Sequence, residues 1–461
     1  MLEGPESTQP PCPASLPLWQ DLAAAALLLV IPVLLFWRDF PFYMIDDWTA
    51  LLQMTGHTFG QYLLLPDGDQ WFPFFHLIYY GLVRLAGERY QLLVLVNCLG
   101  TGVNATLVFL FFRRHLGAGL ALVLSALYAG AAVHTAIAWN SFYLCYLLSL
   151  GFFLGALLLT DAYLKTPNRG RLWGIGCCAL LSVLSHNYTL VGLMALPLYA
   201  LLVKGDSGRK FWALAGTVAV VYLAFAVGYL SFAGARAAAS ENSQVFAGLP
   251  GPNYLVHLFF GAVLAPFFYL FWGHYHFPVF WGYLGYAYVT GISLLAASVA
   301  AIWRWGKAPE RRLALWALLT NALPFLLISL ARYQRSVNQA FVARYGIFTL
   351  IGALLLVGTA WRLMAPRLPQ GRGWRLVLPL GLLAVMAAGQ ILALPRWTEK
   401  YQEISRAART CFYELSRETD TARLAPEEYG KFCPGAHPVI TPGQALAIRR
   451  FLTRGAQGPD S

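Results

Sequence analysis

Apolar positions in this chain gather into runs of about 14 to 26 residues, separated by short polar segments, and a run of about twenty is what the hydrocarbon core of a bilayer requires of one helix. Spans are predicted near Leu18 to Trp37, Tyr90 to Phe112, Gly119 to Thr135, Ser141 to Tyr163, Leu172 to Ser185, Leu190 to Val203 and Phe211 to Phe232. Four more follow near Pro278 to Trp303, Leu313 to Leu330, Tyr345 to Trp361 and Leu376 to Leu394. Three stretches break the pattern. From Met44 to His57, Ile45, Trp48 and Leu52 recur at helical spacing while Asp46, Thr49, Gln53 and His57 share the opposite stripe, which predicts an amphipathic helix lying on the membrane surface. Trp71 to Gly87 is short for a crossing and carries His76, Tyr79, Tyr80 and Arg84, so it reads as re-entrant or interfacial. Tyr254 to Trp272 is interrupted by Pro266 and reads as an element half-inserted at the outer face.

Basic residues alternate with neutral connections. Arg113 and Arg114, then Lys165, Arg169 and Arg171, then Lys204, Arg209 and Lys210 occupy every second loop, whereas Ala138 to Asn140 and Ser185 to Tyr188 carry no Lys or Arg. By the positive-inside rule the basic loops are cytoplasmic. Treating Tyr254 to Trp272 as half-inserted keeps Arg304 to Arg312 and Arg362 to Arg375 on the same side. The result is about eleven crossings, a cytoplasmic N-terminus and an extracytoplasmic C-terminus. Residues 1–17 read as a disordered tail, 18–395 as the membrane domain with its first outer loop at 38–89, and 396–461 as a small extracytoplasmic tail with an amphipathic stretch from Glu399 to Leu415.

Composition agrees. With 58% hydrophobic residues and a mean hydropathy of +0.56, the chain is an all-α polytopic membrane protein and a soluble fold is excluded. The net charge of +12 would suggest nucleic acid in a soluble domain, but here it marks topology, and no nucleic-acid partner is expected. Cys98, Cys145, Cys177 and Cys178 lie within spans and read as small apolar residues. Cys411 and Cys433 fall in the outer tail, where an oxidising compartment favours a bridge between them. No Cys and His spacing resembles a zinc site.

Charged side chains are only 12% of the chain, and the acids cluster in the first outer loop as Asp46-Asp47 and Asp67-x-Asp69. An acid pair opening a helix suits general-base chemistry, and it equally suits capping and the helix dipole. Asp46 is the candidate base because it shares the stripe of Gln53 and His57; Asp47, turned about 100° away, is the candidate cap or the holder of a partner cation. Asp67 and Asp69 have the spacing of a metal-binding pair and also of a plain Pro-Asp-Gly-Asp turn, which leaves the use of a divalent metal open. His57, His76 and His186 are polar groups at element ends that serve structure as readily as substrate.

One span, then an outer loop whose acid pair opens an interfacial helix, then Trp71-Phe72-Pro73-Phe74, then a many-span bundle: this layout resembles the GT-C glycosyltransferases, most closely the bacterial, protein-O-mannosyltransferase-like branch. Asn97 and Asn104, the turn Ala138-Trp139-Asn140-Ser141, and Leu184-Ser185-His186-Asn187-Tyr188 add to the likeness. It covers roughly residues 18 to 363 in order of elements. The resemblance implies transfer of a sugar from a polyprenyl-phosphate donor to a glycan, lipid or protein acceptor on the outer face of a bacterial plasma membrane, with Asp46 as base or acceptor-orienting group. Two positions depart from the pattern: Asp47 stands where Glu is usual, and His186-Asn187 where Lys-Glu is frequent.

The substrate-binding set expected from these readings is His57, Asp69, Trp71, His76, His186 and Asn187, with no metal ligands assigned. A departing prenyl phosphate needs positive charge, and Arg332, Arg335 and Arg344, with Tyr345, stand at outer span ends where a lipid phosphate lies. Lipid headgroups are the competing partners of these arginines. A transporter or flippase would instead place ionisable groups at bilayer midplanes and show inverted repeats, and the spans are nearly free of such charge. A non-catalytic assembly subunit for envelope polysaccharide is the third reading.

Overall fold

The computed structural model describes residues 18–38, 42–43, 46–67, 70–131, 133–232, 252–267, 281–332, 343–367, 374–417 and 441–456. Among them every named element is a helix, and the single β-bridge joins Asp67 to Gln70 across the turn. Among the described residues six helices are long and apolar enough to cross a membrane: Trp19–Phe36, Tyr90–Leu116, Ser141–Lys165, Arg209–Phe232, Ala308–Leu330 and Arg344–Arg367. Ala118–Gly130 and Val133–Trp139 make a seventh if counted as one span, bent by 54°. Asn97 explains how that bend is sustained, since its buried amide donates to the carbonyls of Ile137 at 2.7 Å and Asn140 at 2.9 Å.

The expected span from Leu190 to Val203 is a broken one. It consists of short helices Thr189–Gly192 and Ala195–Leu198 followed by a π turn, Tyr199–Val203. Pro197 offers no N–H, and the Trp316 indole donates to the Ala195 carbonyl at 2.9 Å across the bundle. Pro252–Phe259 with the π turn after it packs against the outer half of Ala308–Arg332, where Tyr254 donates to the Leu326 carbonyl and His257 meets Ser329 at 2.9 Å.

The two ends of the bundle differ in chemistry. At one end the buried Asp161 carboxylate pairs with Arg114 and Lys204, both at 2.7 Å, and with Lys165 at 3.0 Å, while Tyr199 donates to it at 2.9 Å. Asp21 pairs with Arg113, Glu310 with Arg362, and Arg362 also reaches the His115 carbonyl. Residues drawn from five basic loops thus meet at a single end. The neutral connections, together with the first outer loop, meet at the other: the Trp139 indole donates to the Phe36 carbonyl at 2.7 Å, and Tyr43 donates to the Gly87 carbonyl at 2.6 Å.

One element runs longer than its sequence suggests. The span near Leu376 to Leu394 and the amphipathic stretch from Glu399 to Leu415 are one unbroken helix, Trp374–Arg417. Its 44 residues measure about 66 Å at 1.5 Å per residue, about twice what one crossing of the hydrocarbon core needs. That half buries Ser405, Ala408, Phe412 and Leu415, a stripe spaced at three and four residues. Ser405 clamps Phe42 of the first outer loop, accepting from its N–H at 3.0 Å and donating to its carbonyl at 2.9 Å. The last helix, Pro442–Ala456, folds back on this layer, where Arg84 donates to the Phe451 carbonyl at 3.1 Å and stacks on its ring. The described residues 396–417 and 441–456 are therefore a buttress for the acid-bearing loop.

Candidate active site

The acid pair sits at the start of helix Asp46–Gly56, and the helix directs the two carboxylates differently. Asp47 is fully buried. Its Oδ1 accepts from Tyr79 at 2.9 Å, from the Ser141 hydroxyl at 2.7 Å and from the Phe142 N–H at 2.8 Å, and its Oδ2 accepts from Tyr90 at 2.6 Å. Burial holds the Tyr79 phenol well above its ordinary value, so it stays a donor. Asp47 thereby ties three elements, Pro73–Ala86, Tyr90–Leu116 and the turn Ser141–Tyr143, to the helix that carries Asp46. Asn140 pins the same turn from the other side, its side chain accepting from the Phe142 N–H at 3.1 Å.

Asp46 is half-exposed and acts electrostatically on the phenols of Tyr143 and Tyr401. Burial, with Asp46 beside it, pushes the Tyr401 phenol up to about 12. Tyr143 links this carboxylate to the expected cation. Its hydroxyl accepts from Arg344 Nη1 at 2.6 Å, and the guanidinium lies over the rings of Tyr143 and Tyr345 at 5.5 and 5.3 Å. Arg344 Nε is buried and meets no acceptor among the described residues. A half-exposed carboxylate and a partly buried guanidinium held on Tyr143 are thus brought to one region through the turn that Asp47 binds.

An aromatic wall runs from this pair to the first loop. Tyr345 meets Tyr188 edge-on at 5.0 Å; the His186 ring stacks on Tyr146 at 4.2 Å and on Phe72 at 5.8 Å. His186 is buried, and its Nδ1 accepts from the Tyr188 N–H at 3.2 Å. The Asn187 side-chain oxygen is buried beside it without a hydrogen bond among the described residues. His76 joins the wall through Phe72 at 4.9 Å and Tyr62 at 4.6 Å, and burial lowers its pKa to about 4, leaving the ring neutral.

The remaining expected residues fall elsewhere. His57 is exposed just past the end of its helix, its ring bonded to the Gln53 carbonyl at 3.1 Å. Trp71 packs on the helix Arg209–Phe232 through Phe225 and Phe232, close enough that Gly228 has no room for a side chain. Arg332 closes the helix Ala308–Arg332, and Asp69 and Arg335 lie outside the described residues. Among the described residues no three His, Cys, Asp or Glu side chains converge to hold a metal.

Sequence reasoning passed over Tyr143, Tyr146 and Tyr401. The first two follow the Asn140-Ser141 turn, a cap signal beside aromatics that could have marked them; nothing in the sequence marked Tyr401. An apolar void of about 20 Å³, lined by Leu154, Trp316 and Phe348 among others, lies deeper in the bundle and is no larger than a water site.

No family model matches the sequence, and no curated protein does. Among solved structures the fold is similar to that of ArnT from Cupriavidus metallidurans in the apo state. The match has a TM-score of 0.52 and 16% identity, and covers 95% of this chain and 87% of that one. The all-α bundle of long apolar helices expected from the sequence is the architecture observed, and its fold is similar to that of this structure.

Proposed function

We propose that the protein is a membrane glycosyltransferase that moves a sugar from a polyprenyl-phosphate donor to an acceptor hydroxyl on a glycan, lipid or protein, at the extracytoplasmic face of a bacterial plasma membrane. The observation that carries this reading is that Arg344, nearly 300 residues from the acid pair in sequence, donates to Tyr143 of the turn that Asp47 ties to the helix carrying Asp46, at the end of the bundle away from the basic loops. In the proposed reaction Asp46 takes the proton of the acceptor hydroxyl as its oxygen bonds to the anomeric carbon. The bond from that carbon to the phosphate oxygen breaks, its electron pair stays on the phosphate, and the sugar inverts. Arg344 meets the charge that develops there.

On this reading the aromatic wall with His186, Asn187 and His76 receives the sugar. The shorter apolar helices complete a bundle of about eleven crossings, with the N-terminus inside and the C-terminus outside. The prenyl tail lies against lipid-facing surface near Trp71 and the Pro252–Phe267 element.

The test is transfer of labelled sugar from prenyl-phosphate sugars by the purified protein. Asp46→Asn keeps the shape and removes the proton acceptor, so turnover is expected to fall by at least about 10² with little change in donor affinity. Near-normal turnover in Asp46→Asn would remove the base assignment. Movement of intact donor between leaflets without transfer would favour a flippase.

A further inference from the structure

We propose that Tyr143 is a contact residue for the donor phosphate, its hydroxyl donating to the same anion that Arg344 pairs with. The inference deepens the glycosyltransferase reading and rests on it.

A phenol has one proton and can accept as well. Arg344 Nη1 already donates to the Tyr143 oxygen at 2.6 Å, so the phenolic proton must point elsewhere. No acceptor for that proton is present among the described residues, although Tyr143 is only 8% exposed. Arg344 Nε–H is likewise buried and unanswered. A buried N–H without an acceptor costs free energy unless a ligand supplies lone pairs, and the Tyr143 hydroxyl beside it has a proton to offer the same ligand. A guanidinium beside them selects an anion over a neutral acceptor.

The donor's position is also fixed in advance. Asp47 Oδ1 and Asn140 Oδ1 both hold the Phe142 N–H, one residue before Tyr143, at 2.8 and 3.1 Å. The hydroxyl is therefore held where charge develops rather than recruited when it does. The same turn is bound by Asp47, the neighbour of Asp46, so base and phosphate contacts are held by one set of bonds.

The step balances as follows. The donor phosphodiester carries one negative charge, and breaking its bond to the sugar leaves a prenyl phosphate monoester with the electron pair on oxygen and a second charge. Both donors bind that oxygen group more strongly as the bond lengthens. Tyr143 is thus expected to act on turnover and on affinity for the phosphate product more than on donor KM. The competing role is packing alone, in which the ring merely holds the guanidinium.

Tyr143→Phe separates the two, because it keeps the ring under Arg344 and removes only the hydroxyl. Binding of farnesyl phosphate and of farnesol to purified wild type, Tyr143→Phe and Arg344→Ala would be measured in detergent, alongside sugar transfer. The expected result is about tenfold weaker farnesyl phosphate binding in Tyr143→Phe with farnesol unchanged, and kcat lowered about ten- to hundredfold. Equal phosphate affinity in wild type and Tyr143→Phe, with Arg344→Ala impaired, would overturn the role of Tyr143 and leave the function standing. Equal losses for phosphate and alcohol would reduce Tyr143 to packing. Absence of farnesyl phosphate binding to the wild type would overturn the donor reading itself, and this proposal with it.

Discussion

Removing Asp47 tests whether the outer loop is locked to the bundle as the geometry indicates. Among the described residues Asp47→Ala takes away an acceptor used by four donors, but three have somewhere else to turn. Tyr90 also lies 2.9 Å from the Trp139 carbonyl, the Phe142 N–H 3.1 Å from Asn140 Oδ1, and Tyr79 2.7 Å from Ser141 Oγ. Only the Ser141 hydroxyl proton is left with no acceptor. One orphaned buried donor, plus the loss of charge-assisted bonds at the others, sums to about 3 kcal/mol. Asp47→Asn should cost about 1 kcal/mol, because its side-chain oxygen can keep the three donors at Oδ1 while its NH2 donates to Tyr90, which then turns to Trp139. Adding Ser141→Ala to Asp47→Ala should recover little, because it removes the orphaned hydroxyl and with it the oxygen to which Tyr79 had turned. Denaturant unfolding of the purified variants in micelles measures each. The reasoning fails if Asp47→Ala is as stable as wild type, or if Asn costs as much as Ala.

The neutral, buried His76 predicts acid sensitivity. Its pKa is lowered from 6.5 to about 4, so the unfolded chain takes up a proton that the folded one refuses. Its contribution is complete above pH 6.5 and is lost as pH falls towards 4, a loss of about 3 kcal/mol that His76→Phe should abolish in the pH dependence of unfolding. Cys411 is disulfide-bonded. Pairing with Cys433 predicts that Cys433→Ser frees one thiol for alkylation in the denatured, unreduced protein; a Cys411 that stays blocked would place its partner elsewhere. Single-cysteine labelling should reach Ser207 and Lys307 from the cytoplasm and Thr58 and Glu414 from outside, and labelling of Thr58 from within alone would invert the topology.

Class and layout were legible in the sequence because they rest on additive, local properties. Apolar runs of span length and the alternation of basic with neutral loops need no knowledge of contacts, and the basic loops do converge on Asp161 and Glu310 at one end. The difference between Asp46 and Asp47 was also readable, since a helix turns neighbouring residues about 100° apart whatever surrounds them. What the sequence withheld is what depends on distant chain segments meeting. Periodicity did not say that Glu399 to Leu415 continues the helix that begins at Trp374, because its stripe makes sense only against Phe42 and the last helix. Nor could spacing join Asp46, Tyr143, Arg344 and Tyr401, which lie on four separate elements. A burial pattern names the face a side chain occupies; only the packed bundle decides which other face it meets, and the partners of Asp47 and Arg344 are a property of that packing.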